Sequence, residues 1–188
     1  YTDFDKVVLS GNINEKNFDY NCGLAMHEGS HLVYTDKDAL KETRDIIKEV
    51  LGATKNRYSW NNNLYNLVKK LTNYIEDRRI DSIVYKSAPG YRGYYQALYK
   101  KYFEARSITK AFKTKLYADQ PTVANYLFYI TGMTNEWCDS SDLPNLKEMF
   151  NVIDLNNVGR LKNTTEVIRV AVVVAKMIVK EVLKKHDD

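Results

Sequence analysis

The feature that most restricts the fold of this chain is its scarcity of residues that interrupt helices. Only 8 glycines and 3 prolines occur among its 188 residues. Glycine and proline are the residues least compatible with a helix interior, so their scarcity predicts long helices joined by short connections. Apolar residues also recur at helical spacing in the middle of the chain, as Leu64, Leu67, Val68, Leu71 and Ile75. The sequence therefore predicts a mainly α protein.

Capping and helix-breaking residues predict where the helices begin and end. Asn21 and Asp36 can cap helices, Gly52 can stop one, and a proline and a glycine at residues 89–90 can stop another. Asn163 and Glu166 have the spacing of a capping box at the start of a long last helix. The main helices before it are expected at residues 21–34, 36–52, 61–86, 93–117 and 121–132.

The beginning of the chain has a different pattern. Residues 7–9 are Val-Val-Leu and precede Ser10 and Gly11, which is typical of a short strand and a turn. We therefore expect a small N-terminal β ribbon.

The chain has no internal repeat or linker-like segment, so residues 1–188 are expected to form one domain. Because it begins with Tyr1 rather than Met, we expect it to be part of a longer product.

Composition excludes several classes of protein. Hydrophobic residues make up 44% and charged residues 28%, a balance typical of folded globular chains. No uncharged apolar stretch is long enough for a transmembrane helix, so no membrane partner is expected. The only cysteines, Cys22 and Cys138, exclude a disulfide framework and a Cys-only zinc site. An intracellular, cytoplasmic location is therefore expected, with a virion as the alternative.

The most informative motif is His-Glu-Gly-Ser-His at residues 27–31. Histidines four residues apart project from one face of a helix, so both rings can reach one cation. Glu28 then lies beside that cation, where it can take a proton from a metal-bound water. Leu24 and Leu32 share this face, which places the polar residues on the inward stripe. The alternative is two surface histidines without a metal.

Gly29 lies inside this motif helix. A glycine in a helix interior costs about 1 kcal/mol relative to alanine. We therefore expect a neighbouring group to approach the helix backbone closely at this position.

A catalytic zinc site needs a third protein ligand. The metzincin pattern is excluded, because Tyr34 and Lys37 occupy the positions of its glycine and third ligand. His186 lies in a charged tail and is expected to face water. On the 61–86 helix, Glu76 falls at the margin of the buried stripe and Asp77 on the far side, so we expect Glu76 to be the ligand.

The alternative for Glu76 is an ion pair with Arg78 or Arg79. Metal-bound histidines are usually oriented by a second hydrogen bond, and Asp77 and Asp81 are the candidates for that role.

The two motifs together resemble a known family. The first motif, followed by a helix with Asn73, Glu76, Asp77, Arg79 and Asp81 in the pattern Asn-x-x-Glu-Asp-x-Arg-Ile-Asp, resembles gluzincin-type zinc metallopeptidases. It is similar in particular to the metallopeptidase domains that accompany von Willebrand A domains in cobalt-chelatase-related and phage proteins.

The resemblance implies a zincin-like helical domain in which Zn²⁺ is held by His27, His31 and Glu76, with Glu28 as the general base. The sequence departs from thermolysin-like members in the longer gap between the motifs and in Asp77 directly after Glu76.

The function expected from these residues is zinc-dependent hydrolysis of protein or peptide substrates, with domains or subunits outside this chain as further partners. The alternative is a catalytically silent zinc-binding structural or interaction module of a larger, possibly phage, assembly.

Nucleic-acid binding is a weaker candidate. It would use the basic segment 92–115 and the aromatic residues Tyr91, Tyr94, Tyr95, Tyr99, Tyr102 and Phe103. Aromatic residues at helical spacing more often form core, so a nucleic-acid partner is not expected.

Overall fold

The structure is a computed structural model that describes residues 6–9, 11–52 and 62–184. This part of the chain is mainly helical, as predicted. Its α-helices are α1 (Phe18–Tyr34), α2 (Lys37–Lys41), α3 (Thr43–Leu51), α4 (Asn62–Ser87), α5 (Arg92–Tyr102), α6 (Arg106–Lys113), α7 (Val123–Thr131), α8 (Leu146–Ile153) and α9 (Thr164–Lys184). Two 3₁₀ helices cover Pro89–Tyr91 and Leu155–Arg160.

The expected N-terminal ribbon is not found in the described residues, which contain no β-strand. Val7 forms only an isolated β-bridge. Ser10, part of the predicted turn, and His186, predicted to face water, lie outside the described residues. None of the described helices is long and apolar enough to cross a membrane.

Three of the predicted capping or stop residues, Asp36, Gly52 and Asn163, lie at helix ends as predicted. The prediction that Asn21 caps the first helix is wrong, because α1 begins at Phe18 after Asn17, so Asn21 lies within the helix. The Asp36 side chain caps α2 by accepting hydrogen bonds from the backbone N–H groups of Asp38 and Ala39. Gly52 ends α3 with a φ of 71°, a conformation that glycine adopts without strain. At the start of α9, the Glu166 N–H donates to Asn163 Oδ1 (3.0 Å). The Glu166 carboxylate reaches back to the N–H of Lys162 (2.7 Å), so the capping box closes one residue earlier than its usual form.

Two predicted helices are each divided in two. The 36–52 helix breaks at Glu42, where the Thr43 hydroxyl donates to the carbonyl of Leu40 (2.7 Å) and competes with the backbone ladder. The 93–117 helix breaks at residues 103–105, and Ala105 adopts an extended ψ of 143°. Neither break coincides with a glycine or a proline.

Helix α4 lies at the centre of the fold. It packs against α9 on one side and α1 on another, while α9 also packs against α3 and α8. The apolar stripe predicted for α4 is buried, with Leu64, Leu67, Val68, Leu71 and Ile75 all in the main core. This stripe forms part of the core, and α1 packs on another flank of α4. The candidate site described below lies between α1 and that flank.

Helix α1 packs closely on α5 through a glycine, although not the one expected. A Cβ on Gly23 would lie 2.4 Å from the carbonyl oxygen of Tyr94, a distance that real side chains do not reach. A Cβ on Gly29 would meet nothing within 4 Å. The expectation of a close approach at Gly29 is therefore wrong, and Gly23 is the residue that provides clearance between the two helices.

Candidate metal centre

Helices α1 and α4 bring three potential ligands together, namely His27, His31 and Asp77. The two imidazole rings meet edge to face with centroids 5.0 Å apart. Asp77 Oδ1 lies 3.7 Å from His27 Nε2 and 3.3 Å from His31 Nε2. One ligand atom from each of the three residues lies within 4.8 Å of the others. The predicted shared face of the histidines is therefore present, and a carboxylate faces it.

The geometry of this group suits a small cation. Zinc bonds to nitrogen and oxygen are about 2.0–2.2 Å long, so the ligands of a tetrahedral site lie about 3.3–3.5 Å apart. The distance from His31 to Asp77 already has this value, and the distance from His27 to Asp77 is slightly longer. Imidazole nitrogen with carboxylate oxygen is a donor set that zinc accepts. His27, His31 and Asp77 therefore form a group that could hold a metal ion.

The other nitrogen of each ring has its own partner. His27 Nδ1 donates to Asp81 Oδ1 over 2.7 Å, and His31 Nδ1 lies 2.9 Å from the Thr35 hydroxyl. A proton on His27 Nδ1 leaves the lone pair of Nε2 directed towards Asp77, as metal coordination requires. Asp81 thus lies where the sequence suggested an orienting group. Thr35 was not predicted, although its position four residues after His31 places it on the same helical face.

Asp81 is itself held in place. The Tyr99 hydroxyl donates to Asp81 Oδ2 over 2.7 Å. Burial raises the pKa of Tyr99, so its hydroxyl keeps the proton that it donates. The result is a chain of hydrogen bonds from Tyr99 on α5, through Asp81 on α4, to His27 on α1.

The prediction that Glu76 is the third ligand is not supported by the geometry, because the group of neighbouring ligand atoms contains Asp77 and not Glu76. Glu76 is 2% exposed, and its carboxylate accepts two hydrogen bonds from Arg79, both of 2.7 Å. It also accepts a hydrogen bond from the Thr164 hydroxyl (2.9 Å). This is the alternative ion pair with Arg79, formed in the interior rather than on the surface.

Asp77 occupies the position that the sequence analysis assigned to Glu76. Successive residues of a helix point about 100° apart, so Glu76 and Asp77 face different neighbours. Asp77 was placed on the far side of the core stripe and given an orienting role. That side of α4 is the one on which α1 packs, which is why Asp77 reaches the histidines.

Arg79 extends the buried Glu76 network to other helices. Its Nη2 donates to the carbonyl of Tyr34 at the end of α1 (2.6 Å). The backbone N–H of Asp36 donates to the Thr164 hydroxyl at the start of α9 (2.8 Å). Glu76 therefore fixes the ends of α1 and α9 against α4, close to the candidate metal centre.

The electrostatics of the site favour positive charge. Burial lowers the pKa of His27, but the hydrogen bond to Asp81 and the charges of Asp81, Asp77 and Glu28 raise it by more. The pKa of His27 is therefore above its usual value. The same carboxylates that stabilise an imidazolium would also stabilise a bound cation.

The inward stripe predicted for α1 is present only in part. Leu24 is half-buried and packs with Val84, Tyr95 and Leu98. Leu32 is exposed, as are Val33 and Tyr34 after it. The histidines consequently lie at the edge of the packed part of α1, beside an apolar surface.

The aromatic residues of the basic segment divide between core and surface. Tyr95 is buried, whereas Tyr91 and Tyr102 are exposed. Tyr99 and Phe103 are half-buried and lie against the guanidinium of Arg78, 4.3 and 4.5 Å from its central carbon. The segment therefore does not present a continuous row of aromatic rings.

No protein-family model matches this chain, and no curated protein or solved structure is significantly similar to it. The functional interpretation rests on the geometry of the described residues.

Proposed function

We propose that this chain is a zinc-dependent peptidase in which His27, His31 and Asp77 hold the metal. The observation that carries the proposal is the convergence of two histidine Nε2 atoms and one carboxylate oxygen. The resemblance to gluzincin-type peptidases supports it through the His-Glu-x-x-His motif. The third ligand differs, because Asp77 takes the place of the glutamate.

The candidate metal centre is partly open to solvent. The Asp77 side chain is 28% exposed, which gives solvent access to the ligand group on one side. A zinc ion bound there would polarise a substrate carbonyl and lower the pKa of a water molecule. Glu28 would accept the proton of that water and return it to the leaving amine. Asp81 and Thr35 would keep the two imidazoles in the ligating orientation.

The surface next to the site suits a peptide with apolar side chains. Leu32, Val33 and Tyr34 are exposed directly after His31, and Val33 is 72% exposed. Contiguous exposed apolar residues are typical of binding surfaces. We therefore propose apolar peptide segments, rather than charged ones, as substrates.

The test combines metal content with cleavage of a mixed peptide library. We expect the purified wild-type chain to bind one zinc ion and to cleave peptides. Glu28→Gln should retain zinc and lose about 10²–10⁴-fold in cleavage rate, because the proton acceptor is gone. Asp77→Asn should weaken zinc binding, because an amide is a poorer ligand than a carboxylate.

Three results would distinguish the alternatives. A wild-type chain without affinity for zinc would exclude the proposal altogether. Cleavage that persists in Glu28→Gln would point to a contaminating protease. Zinc bound by His27, His31 and Asp77 without any cleavage would favour the structural or interaction module.

A further inference from the structure

A second candidate site lies on the other side of Asp81 from the histidines. It is a cavity of about 550 Å³ between α4, α5 and the 3₁₀ helix Leu155–Arg160. This volume is within the range of about 300–1,000 Å³ found for small-molecule sites. Tyr85, Tyr95, Tyr99, Leu155 and Val158 provide rings and apolar side chains to its walls.

The unusual residue of this cavity is Arg78. It is only 7% exposed, and its guanidinium lies against the rings of Tyr99 and Phe103. In the described part of the chain, its buried Nε and Nη1 atoms have no hydrogen-bond partner. A buried cation without hydrogen bonds is unfavourable, and contact with aromatic rings offsets only part of that cost.

The nearest carboxylate does not satisfy Arg78. Asp81 Oδ2 lies 4.0 Å from Arg78 Nη2, which is beyond hydrogen-bond distance. That oxygen already accepts from Tyr99, and Oδ1 accepts from His27. Arg78 therefore lines the cavity as a cation that has a carboxylate at ion-pair distance but donates no hydrogen bond to it.

The charge of the lining defines the missing partner. The lining contains three cationic residues, Arg78, Lys86 and Lys100, and two carboxylates, Asp81 and Glu104, which leaves an excess of one positive charge. One negative charge balances this excess, and the apolar walls favour an apolar body behind it. A guanidinium pairs well with a planar carboxylate.

We propose that this cavity binds a small monocarboxylate with an apolar body, and that Arg78 is its counter-ion. The site is separate from the candidate metal centre and does not require zinc. Asp81 belongs to both, because it lines the cavity and holds His27.

The test is an NMR titration of the full chain with 3-phenylpropionate, in the presence of EDTA so that a metal cannot hold the carboxylate. We expect saturable shifts confined to residues around the cavity. The neutral amide, 3-phenylpropionamide, should bind about tenfold more weakly, because it lacks the charge that Arg78 recognises. Inorganic phosphate, which lacks the apolar body, should also bind more weakly.

Two variants locate the binding. Arg78→Gln should weaken 3-phenylpropionate about tenfold, whereas Arg106→Gln, an exposed arginine on α6 outside the cavity, should not change it. If Arg78→Gln does not fold, Lys100→Glu reverses an exposed charge of the lining and should still weaken binding several-fold. The proposal is overturned by an absence of saturable shifts, by equal binding of the amide or of phosphate, or by unchanged affinity in the variants.

Discussion

Asp81 illustrates how much depends on the two oxygens of one carboxylate. One oxygen accepts a hydrogen bond from His27, and the other accepts one from Tyr99. Asp81 thereby fixes the tautomer of His27, while its Oδ2 lies 4.0 Å from Arg78 Nη2, within ion-pair range but too far for a hydrogen bond. The same carboxylate therefore orients the histidine and lies at ion-pair distance from the guanidinium that lines the cavity.

The raised pKa of His27 predicts how the stability of the metal-free chain depends on pH. The folded state binds the His27 proton more tightly than the unfolded state, so this proton stabilises the fold fully below a pH of about 6.5. The stabilisation should be lost as the pH rises through the raised pKa of the folded state. Urea unfolding of the EDTA-treated chain at a series of pH values measures the effect.

The control for this experiment is His27→Gln, which cannot take up a proton. Its free energy of unfolding should lack the decrease that the wild type shows above a pH of about 6.5. Identical pH dependence in both chains would show that His27 is not the group responsible.

At the same scale, the sequence predicts the members of the candidate metal centre only in part. The four-residue spacing places His27 and His31 on one face in any helix, so their pairing follows from the sequence. Choosing between Glu76 and Asp77 requires knowing on which flank of α4 the histidine helix packs. That depends on tertiary contacts between residues about fifty positions apart, which helical periodicity does not contain.

At the scale of the helix, α1 contains two glycines with different surroundings. Gly23 faces the backbone of Tyr94, and Gly29 faces open space. Gly23→Ala should destabilise the chain by about 1–3 kcal/mol, because α1 and α5 must move apart to admit the methyl group. Gly29→Ala should stabilise it by up to about 1 kcal/mol through higher helix propensity.

Thermal unfolding of the two alanine variants measures this difference within one helix. The same substitution should lower the melting temperature at one position and raise it at the other. A similar shift at both positions would mean that the close contact between Gly23 and Tyr94 does not limit the packing of α1.

Comparing the predicted helix ends with the observed ones shows how far local sequence signals determine where a helix begins and ends. The helix ends marked by Asp36, Gly52 and Asn163 are found as predicted, because capping is a local interaction. The breaks at Glu42 and at residues 103–105 were missed. No residue there forbids a helix. The break at Glu42 coincides with the local hydrogen bond of the Thr43 hydroxyl, which a threonine can also make in an unbroken helix, and the break at residues 103–105 has no local signal in the sequence.

At the scale of the whole molecule, the buried pair of Glu76 and Arg79 joins three helices through Tyr34 and Thr164. Glu76→Gln should lower the free energy of unfolding by about 3–5 kcal/mol, because Arg79 is left as an uncompensated buried charge. Asp77→Asn should change the stability of the metal-free chain by no more than about 1 kcal/mol, since Asp77 is partly exposed.

Unfolding in urea, followed by zinc titration of the folded variants, separates these two roles. Glu76→Gln should be less stable but should still bind zinc, whereas Asp77→Asn should be stable and bind it weakly. The opposite pattern would restore Glu76 as the ligand.

The neighbouring carboxylates of α4 thus have unrelated tasks, one in the framework and one at the open surface. The proposed metal site and the packing of the helices can therefore change independently in evolution. A descendant that loses the aspartate but keeps the glutamate would retain its shape without the proposed zinc site and would remain available for a role in an assembly.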